Sequence, residues 1–264
     1  MKDEPLVSVI IPTSNSERFL ERCLKSIWEQ SYPNIEVIVV DNRSMDRTRE
    51  IAEGCGVRIV LCRAGRSRAR NVGAGYAKGE FVLFVDSDME LTPNVVRQCI
   101  AKVESGFDAI IIPELSVGEG FWAKCRALEK LCYIGDDLIE AARFFQREVF
   151  EVVGGYDPQL ESGEDWDLSQ RISKARYRVG RIGVPIRHHD ESLSLRETML
   201  KKHYYGKTLK RYRLKHPKEA KQQLKLIRLA FIRNWRKLTK DPVYALGMLF
   251  MKTCEFMSGL SGSI

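Results

Sequence analysis

The sequence predicts an α/β fold: a Rossmann-like, mostly parallel sheet flanked by helices, followed by a basic helical C-terminal extension. Three observations lead there. The first half alternates short β-branched runs with amphipathic stretches, the pattern of parallel strands covered by helices. Two of those runs end on an aspartate, Asp41 and Asp86. Beyond Ser194 the composition changes to long basic segments of helical character.

Taken in order, residues 6–11 read as a buried strand stopped by Pro12, and Thr13-Ser14-Asn15-Ser16 is placed to cap the next helix. That helix carries Phe19, Leu20, Cys23, Leu24, Ile27 and Trp28 as a double apolar stripe. Residues 35–40, 57–61 and 81–85 are the next strands. A helix is expected over 93–105, a strand over 109–112 and a helix over 121–142. Phe144-Phe145 reads as a short strand, 147–153 as a helix ended by Gly154-Gly155, 164–174 as a helix and 177–182 as a strand. No internal repeat or low-complexity tract interrupts this order. The expected organisation is a catalytic domain over residues 1–195 and a basic amphipathic extension over 196–264.

A chain of 264 residues, 44% hydrophobic and 30% charged, can bury a sizeable core and is not compositionally disordered. The seven cysteines form no C-x-x-C pair, so neither a zinc knuckle nor a redox dithiol is indicated, and reduced thiols in a cytosolic setting are the simplest reading. The N-terminal residues lack a charged leader followed by an apolar stretch, so no signal peptide is expected. The longest apolar run, 243–251, is about half of the ~20 residues a spanning helix needs. Residues 196–240 hold 16 Lys/Arg against two acids, a local charge of +14, which against the total of +8 leaves −6 for the rest. An acidic body with a basic arm points to an anionic partner for the arm.

Four clusters carry candidate chemistry. In open α/β sheets ligands bind beyond the carboxyl ends of strands, where Asp41 and Asp86 fall. If Asp86-Ser87-Asp88 continues its strand, residues i and i+2 point the same way and two carboxylates converge. Such a pair is costly without a cation, and hard Mg²⁺ or Mn²⁺ suits carboxylate and phosphate oxygens. Asp41 reads either as a turn aspartate or as an acceptor for a base or ribose. The run from Gly65 to Gly73 is a basic loop entering a helix, either a solvated turn or a set of arginines that neutralise phosphate or line a base pocket. Glu164-Asp165-Trp166-Asp167 opens a helix; first-turn acids favour a helix, and one of them also suits a general base. His188-His189-Asp190-Glu191 is a surface turn or a source of a metal ligand or phosphate donor.

Together the pieces resemble the family-2 inverting glycosyltransferases, of the membrane-associated archaeal or bacterial type, with the A-type nucleotide-sugar transferase fold. The matching segments are Val7-Ser8-Val9-Ile10-Ile11-Pro12-Thr13, Val39-Val40-Asp41-Asn42-Arg43-Ser44, Ala69-Arg70-Asn71-Val72-Gly73 and Phe84-Val85-Asp86-Ser87-Asp88. Val153-Gly154-Gly155-Tyr156-Asp157 and Gly163-Glu164-Asp165-Trp166-Asp167-Leu168 with Arg171 complete the set over about residues 5–195. The resemblance implies that Pro12, Thr13 and Asp41 line the nucleotide base and that Arg70 lies near base or phosphates. It implies further that Asp86 approaches ribose and metal, that Asp88 ligates Mn²⁺ or Mg²⁺, and that Asp165 is the general base with Glu164 beside it. His189 is a further candidate metal ligand. The implied chemistry is transfer of a sugar from a nucleotide sugar, UDP by default, to a glycan or polyprenyl-linked acceptor.

Two departures bear on this. The Q-x-x-R-W signature of processive synthases is missing, with Ser169-Gln170-Arg171-Ile172-Ser173 in that region, which favours single-sugar addition. Glu90 stands where polyprenol-phosphate mannose synthases typically have Gln. In the arm, Leu224, Ile227, Phe231, Trp235 and Leu238 make an apolar stripe flanked by Lys and Arg, suited to an anionic lipid interface. A cytoplasmic enzyme, peripheral at the inner face of the cell membrane and without a nucleic-acid partner, is expected. Two alternatives compete. A nucleotidyltransferase is disfavoured because Pro12-Thr13-Ser14-Asn15-Ser16 lacks a glycine-rich phosphate loop. A nucleic-acid-binding protein is disfavoured by the acidic body.

Overall fold

A computed structural model describes residues 4–191 and 193–263. Residues 1–3, on which the expected absence of a leader partly rests, lie outside them. In chain order the elements are β1 (Val7–Thr13), α1 (Leu20–Trp28), β2 (Ile35–Asp41), α2 (Thr48–Gly54), β3 (Arg58–Leu61), α3 (Arg66–Gly75), β4 (Phe81–Phe84), β5 (Met89–Leu91), α4 (Val95–Glu104) and β6 (Ala109–Ile111). Then come β7 (Glu114–Val117), α5 (Phe121–Tyr133), β8 (Ala142–Gln146), α6 (Arg147–Val152), α7 (Glu164–Lys174), β9 (Val179–Arg181) and β10 (Ile186–His189). The remainder is helical: α8 (Leu195–Lys215), α9 (Pro217–Gln223), α10 (Leu229–Arg233), α11 (Trp235–Lys240) and α12 (Pro242–Ser263). These elements gather into two compact units. A sheet unit runs to Pro113 and adds Ala141–Pro158 and Leu168–Ile186; a helical unit takes Glu114–Glu140, Gln159–Asp167 and the chain from Arg187 onward. The chain therefore passes between units several times.

The sheet unit is built on seven strands in the order β3-β2-β1-β4-β8-β6-β9. β1 runs parallel to both β2 and β4, β2 to β3, and β6 to β9; β8 alone is antiparallel to its neighbours β4 and β6. Strand alternation splits the apolar residues into two cores. Val9, Ile11, Val39 and Leu83 face Leu20, Leu24 and Ile27 of α1. Ile10, Ile38, Val40 and Phe84 face Ala69 and Ala74 of α3 together with Phe150 and Tyr156. A parallel sheet covered on both faces needs such nearly continuous apolar strands.

Pro12 does not stop β1, which continues to Thr13. The Ile10 carbonyl accepts from Val85 N–H on the β4 side, whereas the Thr13 carbonyl accepts from Asn42 N–H on the β2 side. Pro12 shares the orientation of Ile10, two residues back, and so turns its missing N–H toward the side where β4 has already ended. α1 is also begun otherwise than expected. No side chain caps it, and the Ser16 carbonyl instead accepts from the N–H groups of Phe19 and Leu20. The helix expected over 121–142 stops early: Ile134 leaves it at ψ 122°, and Ala142 already belongs to β8.

In the helical unit, Cys125, Leu128 and Cys132 of α5 pack with Met248 and Met251 of α12 and with Phe231. A buried charge cluster joins the same two helices. Glu129 binds Arg126 at 2.6 Å and Lys252 at 2.8 Å, Lys252 binds Glu255 at 3.0 Å, and Arg126 also meets Glu255. The apolar stripe expected on one helix is broken up: Leu224 caps the end of α9, Ile227 lies between helices, Phe231 belongs to α10, and Trp235 and Leu238 belong to α11. Asn234 Nδ2 donates to the carbonyls of Cys132 and Ala230 where α10 ends. Phe231 is buried, its ring 5.5 Å from that of Tyr133, while Ile227 and Trp235 remain exposed. Among the described residues no helix is long and apolar enough to cross a membrane.

Gly73 lets α3 lie close on the sheet: a Cβ there would stand 2.4 Å from Ile10 Cγ2 and 2.9 Å from Val40 Cγ2. Gly73→Ala should therefore destabilise the chain by about 1–3 kcal/mol through overpacking, read as a lower urea midpoint at unchanged slope.

Candidate active site

The order β3-β2-β1-β4 reverses direction at β1, and the carboxyl ends of β1 and β4 flank that switch point, where open α/β sheets take their ligands. The loops leaving β1, β2 and β4 meet there. Ser87 Oγ donates to Ser16 Oγ at 2.9 Å, Ser16 N–H donates to Thr48 Oγ1 at 2.7 Å, and Asn15 N–H donates to Ser44 Oγ at 2.9 Å. Asn15 and Arg43 both adopt left-handed backbone, at φ 49° and 52°. Non-glycine residues hold that conformation only where the surroundings enforce it.

Asp86 follows β4 and is partnered by arginine. Arg70 Nη2 lies 2.8 Å from its Oδ1 and Arg143 Nη1 3.4 Å from its Oδ2. Arg70 is 0% exposed and stacks its guanidinium 5.0 Å from the Tyr156 ring centre, while the Asp86 side chain keeps 22% of its surface open. Burial alone would raise the Asp86 pKa, but the charges of Arg70, Arg143 and Arg66 outweigh it and hold the carboxyl well below its ordinary range. Asp86 is thus an anion at neutral pH. Asp86-Ser87-Asp88 does not continue the strand. Asp86 C=O accepts from Met89 N–H at 3.0 Å, closing a tight turn between β4 and β5, so any convergence of Asp86 and Asp88 comes from that turn and not from strand alternation.

Of the three arginines in the basic loop, Arg66 and Arg68 are exposed and Arg70 is buried against Asp86. Asp41 is fully buried, and its acceptor sites are taken by donors of this chain. Thr13 Oγ1 (3.2 Å) and Ser44 Oγ (2.5 Å) bind Oδ1, and Ser44 N–H (3.1 Å) and Arg49 Nε (2.8 Å) bind Oδ2. Burial raises its pKa, yet the Ser44 and Arg49 hydrogen bonds bring it below its ordinary value. A carboxylate has about four lone-pair sites, so a base or ribose binding here displaces one of these donors.

In the helical unit the acidic opening of α7 divides its labour. Asp167 is fully buried and its Oδ1 lies 2.7 Å from both His216 Nε2 and Lys215 Nζ. Trp166 Nε1 donates to the Ile139 carbonyl at 2.8 Å. Glu164 is buried, and Asp165 is half-buried. Gly163 enters the helix at φ 77°, with the Tyr212 ring 3.0 Å from where a Cβ would stand, so a side chain there is both strained and crowded. His188 and His189 belong to β10 rather than to a turn. His188 Nδ1 meets Lys130 Nζ and lies 3.9 Å from Glu114, and His189 Nδ1 lies 3.6 Å from Glu191. Among the described residues no three or more His, Cys, Asp or Glu side chains gather as a ready ligand set. Sequence reasoning missed the Arg70 and Arg143 pairing to Asp86 and the Asp167–His216 contact. One signal was available: Arg70, Gly73 and Ala74 recur at helical spacing on the face of α3 that carries its buried residues.

The chain is a member of glycosyl transferase family 2, whose model matches residues 8–199. Over 249 residues it is 26% identical to a PGL/p-HBAD biosynthesis glycosyltransferase of Mycobacterium bovis, covering 89% of this chain and 92% of that one. Shorter matches join it to glycosyltransferase GlyG of Streptococcus pneumoniae, 32% identical over 40% of this chain, and to EpsJ of Bacillus subtilis, 41% identical over 38% of it. Those matches span only 38% and 31% of the relatives' own lengths. Among solved structures, mannosyltransferase PcManGT from Pyrobaculum calidifontis, in complex with GDP-Man and Mn²⁺, superposes with a TM-score of 0.68 over 98% of this chain and 88% of that one, at 18% identity. TarS of Staphylococcus aureus in complex with UDP-GlcNAc gives 0.58 over 98% and 90%, at 19% identity. The expected fold, a mostly parallel sheet flanked by helices with a helical C-terminal extension, is the fold observed.

Asp86→Asn would leave the Arg70 guanidinium buried without its anion, and unfolding in urea should show a loss of about 3–5 kcal/mol at pH 7. A depressed carboxylate pKa contributes stability above the unfolded value and loses it as pH falls through the folded one. The gap between wild type and variant should therefore close as pH drops below about 4.

Proposed function

We propose that this glycosyltransferase moves one hexose from a nucleotide sugar, UDP-linked by preference, to a hydroxyl or phosphate of a lipid-linked or surface-glycan acceptor, with inversion and with Mn²⁺ or Mg²⁺. The observation that carries the reading is an ionised Asp86, fixed by Arg70 and Arg143 at the sheet's switch point, with Asp88 across the same turn. The donor chemistry fits a hard cation. Two aspartates supply carboxylate oxygens, and Mg²⁺-type sites commonly complete their shell with water and substrate phosphate. When bound, the cation neutralises charge on the departing diphosphate.

The roles follow the resemblance residue by residue. Asp88 is the primary ligand, Asp86 serves metal and ribose, and His189 is a further candidate ligand. Pro12, Thr13, Asp41 and Arg70 form the nucleotide pocket. Asp165, with Glu164 beside it, accepts the proton of the acceptor hydroxyl. The freed oxygen attacks the anomeric carbon as the bond from that carbon to the diphosphate oxygen breaks, and a single displacement inverts the centre. Its half-buried position leaves Asp165 reachable by an incoming group, whereas Asp167 is committed to His216 and Lys215.

Residues 1–195 are proposed as the catalytic part and 196–264 as an extension that meets an anionic membrane surface at its cytoplasmic face. Supporting this, Ile227, Ile232 and Trp235 are exposed in a segment rich in Lys and Arg, and Leu246 and Phe250 are exposed on α12, which follows it. The binding of GDP-Man by PcManGT and of UDP-GlcNAc by TarS supports a nucleotide-sugar donor.

Screening UDP-, GDP- and dTDP-sugars by thermal shift with Mn²⁺ or Mg²⁺ should give a metal-dependent rise for one nucleotide, since donor at 100 times its Kd stabilises by about 2.7 kcal/mol. Asp88→Ala should cut turnover at saturating donor and metal by at least ~10²-fold without unfolding the chain; undiminished turnover would falsify the metal assignment. In flotation with anionic vesicles the chain should rise at low salt and be released by about 0.5 M salt. Duplex DNA should compete poorly.

A further inference from the structure

A cavity of about 1030 Å³ lies within the helical unit, walled wholly by residues of that unit. Its volume is at the upper end of the roughly 300–1,000 Å³ of sites that enclose small ligands. The walls are of two chemical kinds. Leu209, Leu214, Leu224, Phe256 and Leu260 offer hydrocarbon, while seven Lys or Arg side chains face a single acid, Glu255. That acid is already shared between Arg126 and Lys252. Lys202, Lys210, Arg213, Lys221 and Lys225 have no carboxylate within ion-pairing distance among the described residues. Arg228 has its guanidinium carbon 4.9 Å from the centre of the Tyr133 ring, yet its Nε is buried with no acceptor among the described residues. A buried donor without an acceptor is costly, and it is the kind of group that an anionic ligand satisfies.

We propose that this cavity binds a long-chain lipid phosphate, its hydrocarbon chain against the leucine and phenylalanine wall and its phosphate among Lys202, Arg228 and the neighbouring cations. A neutral lipid would leave the buried Arg228 Nε without an acceptor and add no counter-charge near Lys202. A free phosphate or a polynucleotide would leave the hydrocarbon wall against water. Only an amphiphilic anion uses both walls. The Lys202 ammonium agrees with this. The Glu255 carboxylate acts to raise its pKa, but burial and the charges of Lys252 and Arg126 prevail and bring it down to about 8. An arriving phosphate adds to the counter-charge that Glu255 gives this lysine. The inference deepens the lipid-linked acceptor reading and rests on it for the lipid's part in the reaction, whereas binding itself stands apart from catalysis.

The test is equilibrium dialysis of the full chain with radiolabelled farnesyl phosphate below its micelle concentration, set against farnesol and inorganic phosphate. Farnesyl phosphate should bind stoichiometrically and at least about tenfold more tightly than either. The double variant Lys202→Gln/Arg228→Gln should lose at least about tenfold in affinity. Because Arg228 also packs on Tyr133, the exposed pair Lys221→Gln/Lys225→Gln provides a second variant, with a smaller loss and a flatter salt dependence. Farnesol or phosphate binding as tightly as farnesyl phosphate, or unchanged affinity in both double variants, overturns the proposal. Thermal shift with donor and Mn²⁺ on the same variants keeps the two readings apart. Donor binding with no farnesyl phosphate binding defeats the cavity assignment alone, and the converse defeats the donor-site assignment alone.

Discussion

A guanidinium removed from water must have an anion within reach, and in this chain that obligation falls on Asp86. Arg70 is among the largest side chains with no solvent exposure, held against the sheet by α3 and against the Tyr156 ring. The helix lies that close because Gly73 offers no Cβ to Ile10 and Val40. The pair therefore ties the turn after β4 to α3. It also fixes the charge of Asp86, with Oδ1 on Arg70, Oδ2 on Arg143 and part of the carboxylate still open to solvent. A carboxylate so placed needs little reorganisation to receive a positively charged group.

The loops around it are ordered by hydroxyls. Ser16, Ser44, Thr48 and Ser87 tie the segments after β1, β2 and β4 to one another, and Asp41 binds the first two through Thr13 and Ser44. Asp41 and Asp86 look alike in the sequence, each ending a run of β-branched or aromatic residues. Their surroundings separate them: Asp41 spends its acceptor capacity inside the protein, Asp86 only part of it. The acidic start of α7 divides in the same way, Asp167 being held by His216 and Lys215 while Asp165 keeps exposed surface.

The strands at 35–40 and 81–85 and the helix at 164–174 were legible because each carries one unambiguous period, and the observed bounds differ by a residue or less. The start of strand β8 was hidden. Its Ala142 and Arg143 continue a stretch with helical composition, and Ala142 joins the sheet by pairing with Ile111 of β6. The helix boundary at Ile134 was hidden for the same reason. The amphipathic stripe through Leu224 and Leu238 was a correct observation about spacing, yet spacing did not foresee Asn234 taking the carbonyls of Cys132 and Ala230. At the site, motif order located the carboxylates but not their partners. Partners such as Arg70 with Asp86 or Asp167 with His216 are separated by 16 and 49 residues, and no local pattern encodes such a meeting.

The buried cluster of Arg126, Glu129, Lys252 and Glu255 has a thermal consequence. Hydration of charged groups carries a strongly negative entropy, so the cost of stripping water from these four side chains falls as temperature rises, while the gain per area of buried hydrocarbon levels off. The contact between α5 and α12, which combines both kinds of interaction, is thus weighted toward its ionic part on warming.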